Sequence, residues 1–149
     1  MDIDRKAPVQ FKGEVEIAAD PETVWKVLAT IDRWPDWNPD IKSVSLDGSV
    51  AKETRFRWKT GAWKIVSVIQ NVKRARLLAW TGRMMGIKAV HAWHLEPRGA
   101  GTLVLNEESW DGLVARLLRR SLQKALDKAN VSWLGYLKAE AERRAKPRP

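Results

Sequence analysis

The chain has 149 residues, 44% hydrophobic and 30% charged, which is enough for one globular domain with a single core and is not typical of a disordered protein. It has no cysteine, which excludes a disulfide framework, a thiolate metal site and a cysteine nucleophile. No apolar run approaches the roughly 18 residues of a membrane-spanning helix, and no apolar segment follows the charged N-terminus as in a secretory signal. We therefore expect a cytoplasmic protein.

The net charge of +9 is compatible either with plain solubility or with an anionic partner. The basic residues are spread along the chain, with one group alternating along a predicted strand and another forming a C-terminal fringe. These groups are Lys52, Arg55, Arg57 and Lys59, and Arg143, Arg144, Lys146 and Arg148. They lack the interleaved exposed aromatic residues that single-strand binders use. Nucleic acid is therefore disfavoured as a partner, whereas a peripheral contact with an anionic membrane stays open.

The first elements are a strand and two short helices. Phe11 to Ile17 alternates apolar and polar residues, which predicts a half-buried strand. Asp20 and Pro21 predict the start of a helix, as its cap and its first residue. The segment WPDWNP at 34–39 breaks this helix with its prolines, and a second, very short helix is predicted there.

Six strands joined by short turns are predicted next, which indicates an antiparallel meander. Their ranges are 41–46, 54–59, 63–72, 76–82, 87–96 and 102–110. The turn at 97–101 predicts that Leu95 faces Thr102, Trp93 faces Val104 and His91 faces Asn106. Between two strands lie Met84, Met85 and Gly86, interpreted either as an adaptable rim or as a loop with half-exposed methionines.

From Gly112 onward, apolar residues recur every three or four positions as far as Leu137. This period predicts one helix of about thirty residues and about 45 Å, whose apolar stripe must cover the sheet. The tails, to about residue 8 and from about residue 145, are expected to be frayed. The chain is thus interpreted as a single domain over 1–149 with an ordered core at about 9–144.

Several motifs follow one another in an order that resembles the SRPBCC superfamily, also called START-like or birch-pollen-allergen-like. They are ADPETVW at 19–25, WPDWNP at 34–39, RLLAW at 76–80, HAWHLEP at 91–97 and GTLV at 101–104. Over about residues 10–142 the chain is most similar to the polyketide cyclase/dehydrase and lipid-transport branch. The resemblance implies an α+β helix-grip fold, a curved antiparallel sheet (β-α-α-β6-α) wrapped around a long C-terminal helix.

The resemblance also implies a class of ligands. Members of the superfamily bind lipids, sterols, polyketides, quinones or plant hormones, and some are cyclases or aromatases, so the fold alone does not give the function. A bent sheet and a straight helix cannot touch along their whole length, which predicts an apolar cavity between them. The leading hypothesis is a START-like domain, monomeric or homodimeric, that binds or carries a lipid-, polyketide- or quinone-like molecule and needs no metal or cofactor.

Three polar side chains, His91, Asn106 and Glu108, are predicted on the inner face of the sheet. They are interpreted either as a satisfied internal network, or as residues turned outward by a one-residue slip, or as a polar end that recognises a ligand hydroxyl or carbonyl. The predicted ligand-binding residues are Phe56, Trp58, Trp80, His91, Trp93, Asn106, Glu108, Leu118 and Leu122.

Two alternative functions remain open at this point. The first is a polyketide cyclase or dehydratase in which His91 and Glu108 act as acid and base, although no established catalytic constellation is present and a non-enzymatic role is favoured. The second is a basic module that contacts nucleic acid or an anionic membrane and that would bind in a strongly salt-dependent way.

Overall fold

The structure of the protein, a computed structural model, describes residues 2–146. It is α+β, with seven antiparallel strands in one sheet of order β1-β7-β6-β5-β4-β3-β2 and a long C-terminal helix. The elements are β1 (Val9–Ile17), α1 (Pro21–Ala29), a 3-10 helix (Ile31–Asp36), β2 (Ile41–Leu46), β3 (Arg55–Thr60), β4 (Trp63–Lys73), β5 (Leu77–Met84), β6 (Ile87–Arg98), β7 (Gly101–Asp111), α2 (Leu113–Leu117) and α3 (Arg119–Ala145). The predicted fold class is confirmed.

The two short helices form as their sequence signals predict. The Asp20 side chain accepts a hydrogen bond from the Thr23 backbone N–H at 2.7 Å, and hydrogen bonds with Thr23 lower the pKa of Asp20. Trp34 of the 3-10 helix is fully buried, and its indole N–H donates to the Leu28 carbonyl at 2.9 Å. This bond ties the 3-10 helix to the end of α1.

The sheet is strongly curved. Register shifts interrupt β2 between Ile41 and Ser43 and β4 between Ile69 and Asn71, and such bulges bend the strand that carries them. As a result, the ring of Trp63 at the start of β4 lies 6.0 Å from that of Trp110 near the end of β7, although β5 and β6 lie between these two strands.

The β6–β7 hairpin has a tighter turn than the sequence analysis predicts. Leu95 pairs with Val104, and His91 pairs with Glu108, so the predicted register is wrong by two residues. The reason is a turn of only two residues between Arg98 and Gly101, of which Gly99 has a φ of 59°. Because the error is an even number, every side chain stays on its predicted face.

The C-terminal helix is interrupted at Leu118, whose φ of −108° and ψ of 28° are not helical. The prediction of one unbroken helix is therefore wrong. α3 buries an apolar stripe against the sheet, whereas the only buried residue of α2 is Ala115. At about 100° per residue, Leu113 and Leu122 lie on opposite sides of a straight helix, so one continuous helix cannot bury both.

The segment before β1 packs on the sheet, whereas the sequence analysis predicts a frayed tail there. Ile3 and Ala7 are buried, the Asp4 backbone N–H donates to the Ser109 hydroxyl at 3.0 Å, and Arg5 pairs with Glu107 at 2.8 Å. The expected fraying at 147–149 lies outside the described residues. Between residues 2 and 146, no helix is both long enough and apolar enough to cross a bilayer.

Candidate functional site

A cavity lies between α3 and the half of the sheet that α3 does not cover. α3 packs mainly against β1 and α1 and makes far fewer contacts with β3 and β4. The gap between α3 and these strands has a volume of about 570 Å³, which lies within the usual range for small-molecule sites. The predicted cavity between sheet and helix is therefore present.

The hollow exists because a row of small residues crosses the inner face of the sheet. Ser67 on β4 pairs with Gly82 on β5, and Gly82 pairs with Ala89 on β6, and all of them line the cavity. The neighbouring inward-facing row, in which Ile69 on β4 pairs with Trp80 on β5, carries large side chains. The change in side-chain size between neighbouring rows gives the sheet a concave wall.

The wall of the cavity is dominated by indole rings. Five tryptophans line it, together with aliphatic side chains and two acidic residues, Asp40 and Glu108. The tryptophans are Trp58, Trp63, Trp80, Trp110 and Trp133. Aromatic walls of this kind suit flat apolar molecules, because the ring faces offer large rigid contact areas.

The mouth of the cavity is marked by lining residues that are exposed to solvent. Gly61 in the β3–β4 turn lies on one side, and Ala125, Lys128 and Ala129 on α3 lie on the other. Small side chains on both sides leave the entrance open. Lys128 and Lys42 are the cations at its edge.

Trp133 fixes α3 against the sheet at the inner end of the cavity. Its ring centroid lies 5.1 Å from that of Trp34, 5.6 Å from that of Trp58 and 5.3 Å from those of both His91 and Trp93. Edge-to-face contacts at these distances stabilise a cluster beyond its buried area, by about 0.5–1.5 kcal/mol for each pair. The cluster joins α3 and the 3-10 helix to β3 and β6.

A chain of buried hydrogen bonds ends at Glu108. His91 Nε2 lies 2.6 Å from Asn106 Oδ1, Asn106 Nδ2 donates to Asn130 Oδ1 at 3.1 Å, and Asn130 Nδ2 donates to Glu108 Oε1 at 2.9 Å. The Trp110 indole N–H donates to Glu108 Oε2 at 2.9 Å. Each donor in this series points toward the acidic residue, so Glu108 is the terminal acceptor.

His91 is held in its neutral form. Burial lowers the pKa of His91, and this effect exceeds the opposing influence of the Glu108 charge and the Asn106 hydrogen bond. Since Nε2 faces the Asn106 carbonyl oxygen, the neutral ring carries its proton on Nε2 and leaves Nδ1 bare. Nδ1 has no hydrogen-bond partner within residues 2–146, and Glu108 Oε1 lies 3.4 Å away. The gap between these two acceptors has room for one proton.

The predicted site residues fall into three groups. Trp58, Trp80 and Glu108 line the cavity. Another group is buried behind this wall without lining it: Phe56, His91, Trp93, Asn106 and Leu122. Leu118 is 53% exposed and lies away from the cavity, because the helix break turns it outward. Its assignment to the cavity wall does not agree with this position.

Sequence reasoning missed two α3 residues of the site, Asn130 and Trp133. Asn130 lies four residues after Leu126 and four before Leu134, so it is a polar residue within the buried stripe of the helix. That break in the apolar pattern was the available signal. Within the part of the chain that the structure describes, no group of three or more metal-ligating side chains comes together.

Two cations of the C-terminal fringe are held by a carboxylate rather than left free for an anionic partner. Arg143 and Arg144 both pair with Glu140, at 2.8 and 2.9 Å, and these bonds lower the pKa of Glu140 to about 2. Arg148 lies outside the described residues. Arg143 and Arg144 therefore give no support to the alternative of a basic interaction module.

A curved antiparallel sheet that grips a long C-terminal helix, with a cavity between the two, defines a helix-grip protein. The family model for polyketide cyclase / dehydrase and lipid transport matches residues 8–142, and the chain belongs to this family. Among curated proteins, none matches the chain.

Solved structures with the same fold include proteins of known and unknown role. The chain is 18% identical to the Zhui aromatase/cyclase of Streptomyces sp. R1128, with a TM-score of 0.82 over 92% of this chain and 95% of that one. A hypothetical protein of Helicobacter pylori, jhp0584, is 22% identical, with a TM-score of 0.81 over 93% and 91%. The di-domain aromatase/cyclase StfQ of the steffimycin biosynthetic pathway is 17% identical, with a TM-score of 0.79 over 92% of this chain and 51% of that one.

The buried, neutral His91 predicts a loss of stability in mild acid. The ordinary pKa of histidine is 6.5, and the folded state lowers it, so below pH 6.5 the unfolded chain binds the proton more readily. Stability falls as the pH drops from 6.5 toward the folded pKa, by up to about 1.4 kcal/mol per pH unit. Urea unfolding at several pH values measures this, and we expect a smaller slope for His91→Gln. Parallel curves for the two proteins would contradict the assignment.

Proposed function

We propose that the cavity binds a flat, largely hydrophobic small molecule whose hydroxyl group donates a hydrogen bond to Glu108. The observation that carries this proposal is the position of Glu108, a terminal acceptor on the wall of a cavity lined largely by indole rings and aliphatic side chains. The rest of the wall offers stacking surfaces and apolar contacts. The ligand is thus held by burial of its rings and oriented by one polar bond.

The polar end favours a hydroxyl over a carbonyl. Oε1 of Glu108 accepts from Asn130 and Oε2 accepts from Trp110, and each oxygen keeps a further lone pair. Since both oxygens act as acceptors, a ligand carbonyl placed there would meet another acceptor. A phenolic or alcoholic O–H completes the network instead. Of the two ligand groups considered from the sequence, a hydroxyl and a carbonyl, we therefore favour the hydroxyl.

The comparisons support the class of ligand without identifying it. The family description combines polyketide cyclisation with lipid transport, and two similar structures are aromatase/cyclases by name. Phenolic, polyketide-like molecules combine the flat ring system and the hydroxyl group that this cavity fits. Binding or carriage of such a molecule is the function that the geometry favours.

A second candidate is a cyclase- or dehydratase-type reaction in which Glu108 moves a proton. The observation that favours it is the space for one proton between Glu108 Oε1 and His91 Nδ1, 3.4 Å apart. Glu108 would take the proton from the carbon next to a ketone, and the resulting enolate would expel a β-hydroxyl group. Glu108 would return its proton to that group, so that the products are an enone and water. His91, buried behind the wall, would act as a positioning residue.

The hydroxyl preference is testable with a pair of related aromatic compounds. We expect 9-phenanthrol to bind about tenfold more tightly than 9-methoxyphenanthrene, since a hydrogen bond to a charged acceptor contributes about 1.5–3 kcal/mol. Quenching of tryptophan fluorescence measures both affinities. In Glu108→Gln the preference should shrink, while Lys52→Gln, outside the cavity, should keep it. Failure of both compounds to bind would refute the binding function, and equal binding would refute the role of Glu108.

Access through the mouth is testable by filling it. Ala129 lies at the entrance and is exposed, so Ala129→Phe should fold normally and obstruct the cavity. We expect the affinity for 9-phenanthrol to fall by at least about tenfold, as expected when a bulky ring excludes a ligand from its apolar contacts. Ala139→Phe, at an exposed α3 position away from the cavity, is the matched control. Unchanged affinity in Ala129→Phe would show that the ligand enters elsewhere.

The reaction is testable with a β-hydroxyketone, 4-hydroxy-4-(2-naphthyl)butan-2-one, whose dehydration produces a conjugated enone with strong ultraviolet absorbance. If the second candidate is correct, wild-type protein accelerates enone formation and Glu108→Gln abolishes the acceleration. His91→Gln should change the pH dependence of the rate more than the substrate affinity, as expected of a positioning residue. A wild-type rate equal to that in buffer would leave binding as the function.

A further inference from the structure

A cluster of large apolar side chains is exposed where α2 meets the β5–β6 turn. Leu113 is 70% exposed, Leu117 73%, Leu118 53% and Met85 74%. A single exposed leucine is common on soluble proteins, but several adjacent ones mark an interaction surface. We call these four residues the α2 surface.

Close backbone packing brings the members of this surface together. A Cβ atom on Gly112, just before α2, would lie 2.5 Å from the carbonyl oxygen of Gly86 in the β5–β6 turn. This approach, which only a glycine permits, places Met85 and Leu113 next to the point of contact. Leu113 and Leu117 lie on the same face of α2, since residues four apart are neighbours on a helix.

Basic residues lie in the segments that adjoin the α2 surface. Arg83 and Lys88 are exposed and face each other across the base of the β5–β6 turn, while Arg119 and Arg120 directly follow Leu118. Within residues 2–146, no carboxylate lies within ion-pair distance of these four cations, and the nearby Asp111 pairs with Arg116 at 3.2 Å. The surface therefore combines exposed apolar side chains with four adjoining cations that form no ion pair within the described part of the chain.

We infer that the α2 surface docks this protein on the surface of an anionic lipid bilayer. Projecting leucine and methionine side chains enter the boundary between headgroups and acyl chains without a matching groove, and the surrounding cations attract anionic headgroups. An α2 of five residues is far too short to span a bilayer, so the contact is peripheral. An acidic protein partner would need a pocket shaped to these protruding side chains, whereas a bilayer needs none.

The α2 surface borders the cavity. Met84 lines the cavity immediately before Met85, and Trp110 lines it two residues before Gly112. A protein docked on the bilayer in this way would hold this edge of the cavity against the lipid headgroups. The docking itself does not depend on the proposed ligand, because the surface is formed outside the cavity.

Vesicle co-sedimentation of the full chain tests the inference. We expect wild-type protein to bind vesicles of phosphatidylcholine that contain about a third phosphatidylserine, and to bind pure phosphatidylcholine at least about tenfold more weakly. Leu113→Ser/Leu117→Ser should lose at least about tenfold in partitioning to anionic vesicles. Arg119→Gln/Arg120→Gln should also lose at least about tenfold, since each cation near the surface contributes roughly a fivefold factor.

Two matched controls distinguish docking through the α2 surface from non-specific effects of positive charge and of exposed apolar side chains. Val131→Ser replaces another exposed apolar residue of α3, 62% exposed, and Lys52→Gln/Arg55→Gln removes two cations from another part of the surface. Both should bind like wild type, and all variants should keep the wild-type thermal midpoint because the altered side chains are exposed. The inference is overturned if the wild-type protein does not bind anionic vesicles, or if Leu113→Ser/Leu117→Ser binds them as well as the wild-type protein does. It is also overturned if wild type is a dimer that this variant dissociates, since the surface would then belong to a second copy.

Discussion

The insertion of Trp133 between α3 and the sheet is the contact on which the rest of the structure depends. Its ring packs against those of Trp34, Trp58, His91 and Trp93 within 5.6 Å. An indole at this point holds the helix backbone away from the strands, while the other apolar residues of α3 pack closely on the β1 side. The helix is thus clamped at one end of the cavity and separated from the sheet beside it.

The cavity and its polar end come from the same strand register. The row that contains Ser67, Gly82 and Ala89 makes the hollow, and the adjoining row brings His91 opposite Glu108. Asn130 on α3 then completes the hydrogen bonds that two buried polar residues on the sheet require. A one-residue slip of β6 would disturb both features at once, because Ala89 and His91 both lie on this strand and must face inward.

Much of this arrangement could be predicted from the sequence. Alternation, prolines and helical periodicity gave the number, type and order of the main elements, and parity placed His91 and Glu108 on the inner face. The length of the turn at Gly99 could not be predicted, because all the residues around it favour turns. The break at Leu118 was hidden because leucine is a good helix former and carries no stop signal. Trp133 was assigned only to the apolar stripe, since its contacts depend on how far the helix stands from the sheet.

The contact between Trp63 and Trp110 has a consequence for the timing of ligand exchange. These rings lie 6.0 Å apart, line the cavity and come from strands that are not neighbours in the sheet. No ladder of backbone hydrogen bonds joins them, so a bound molecule that leaves on this side must push the two rings apart. Such a step slows escape and entry alike, and therefore governs residence time rather than affinity.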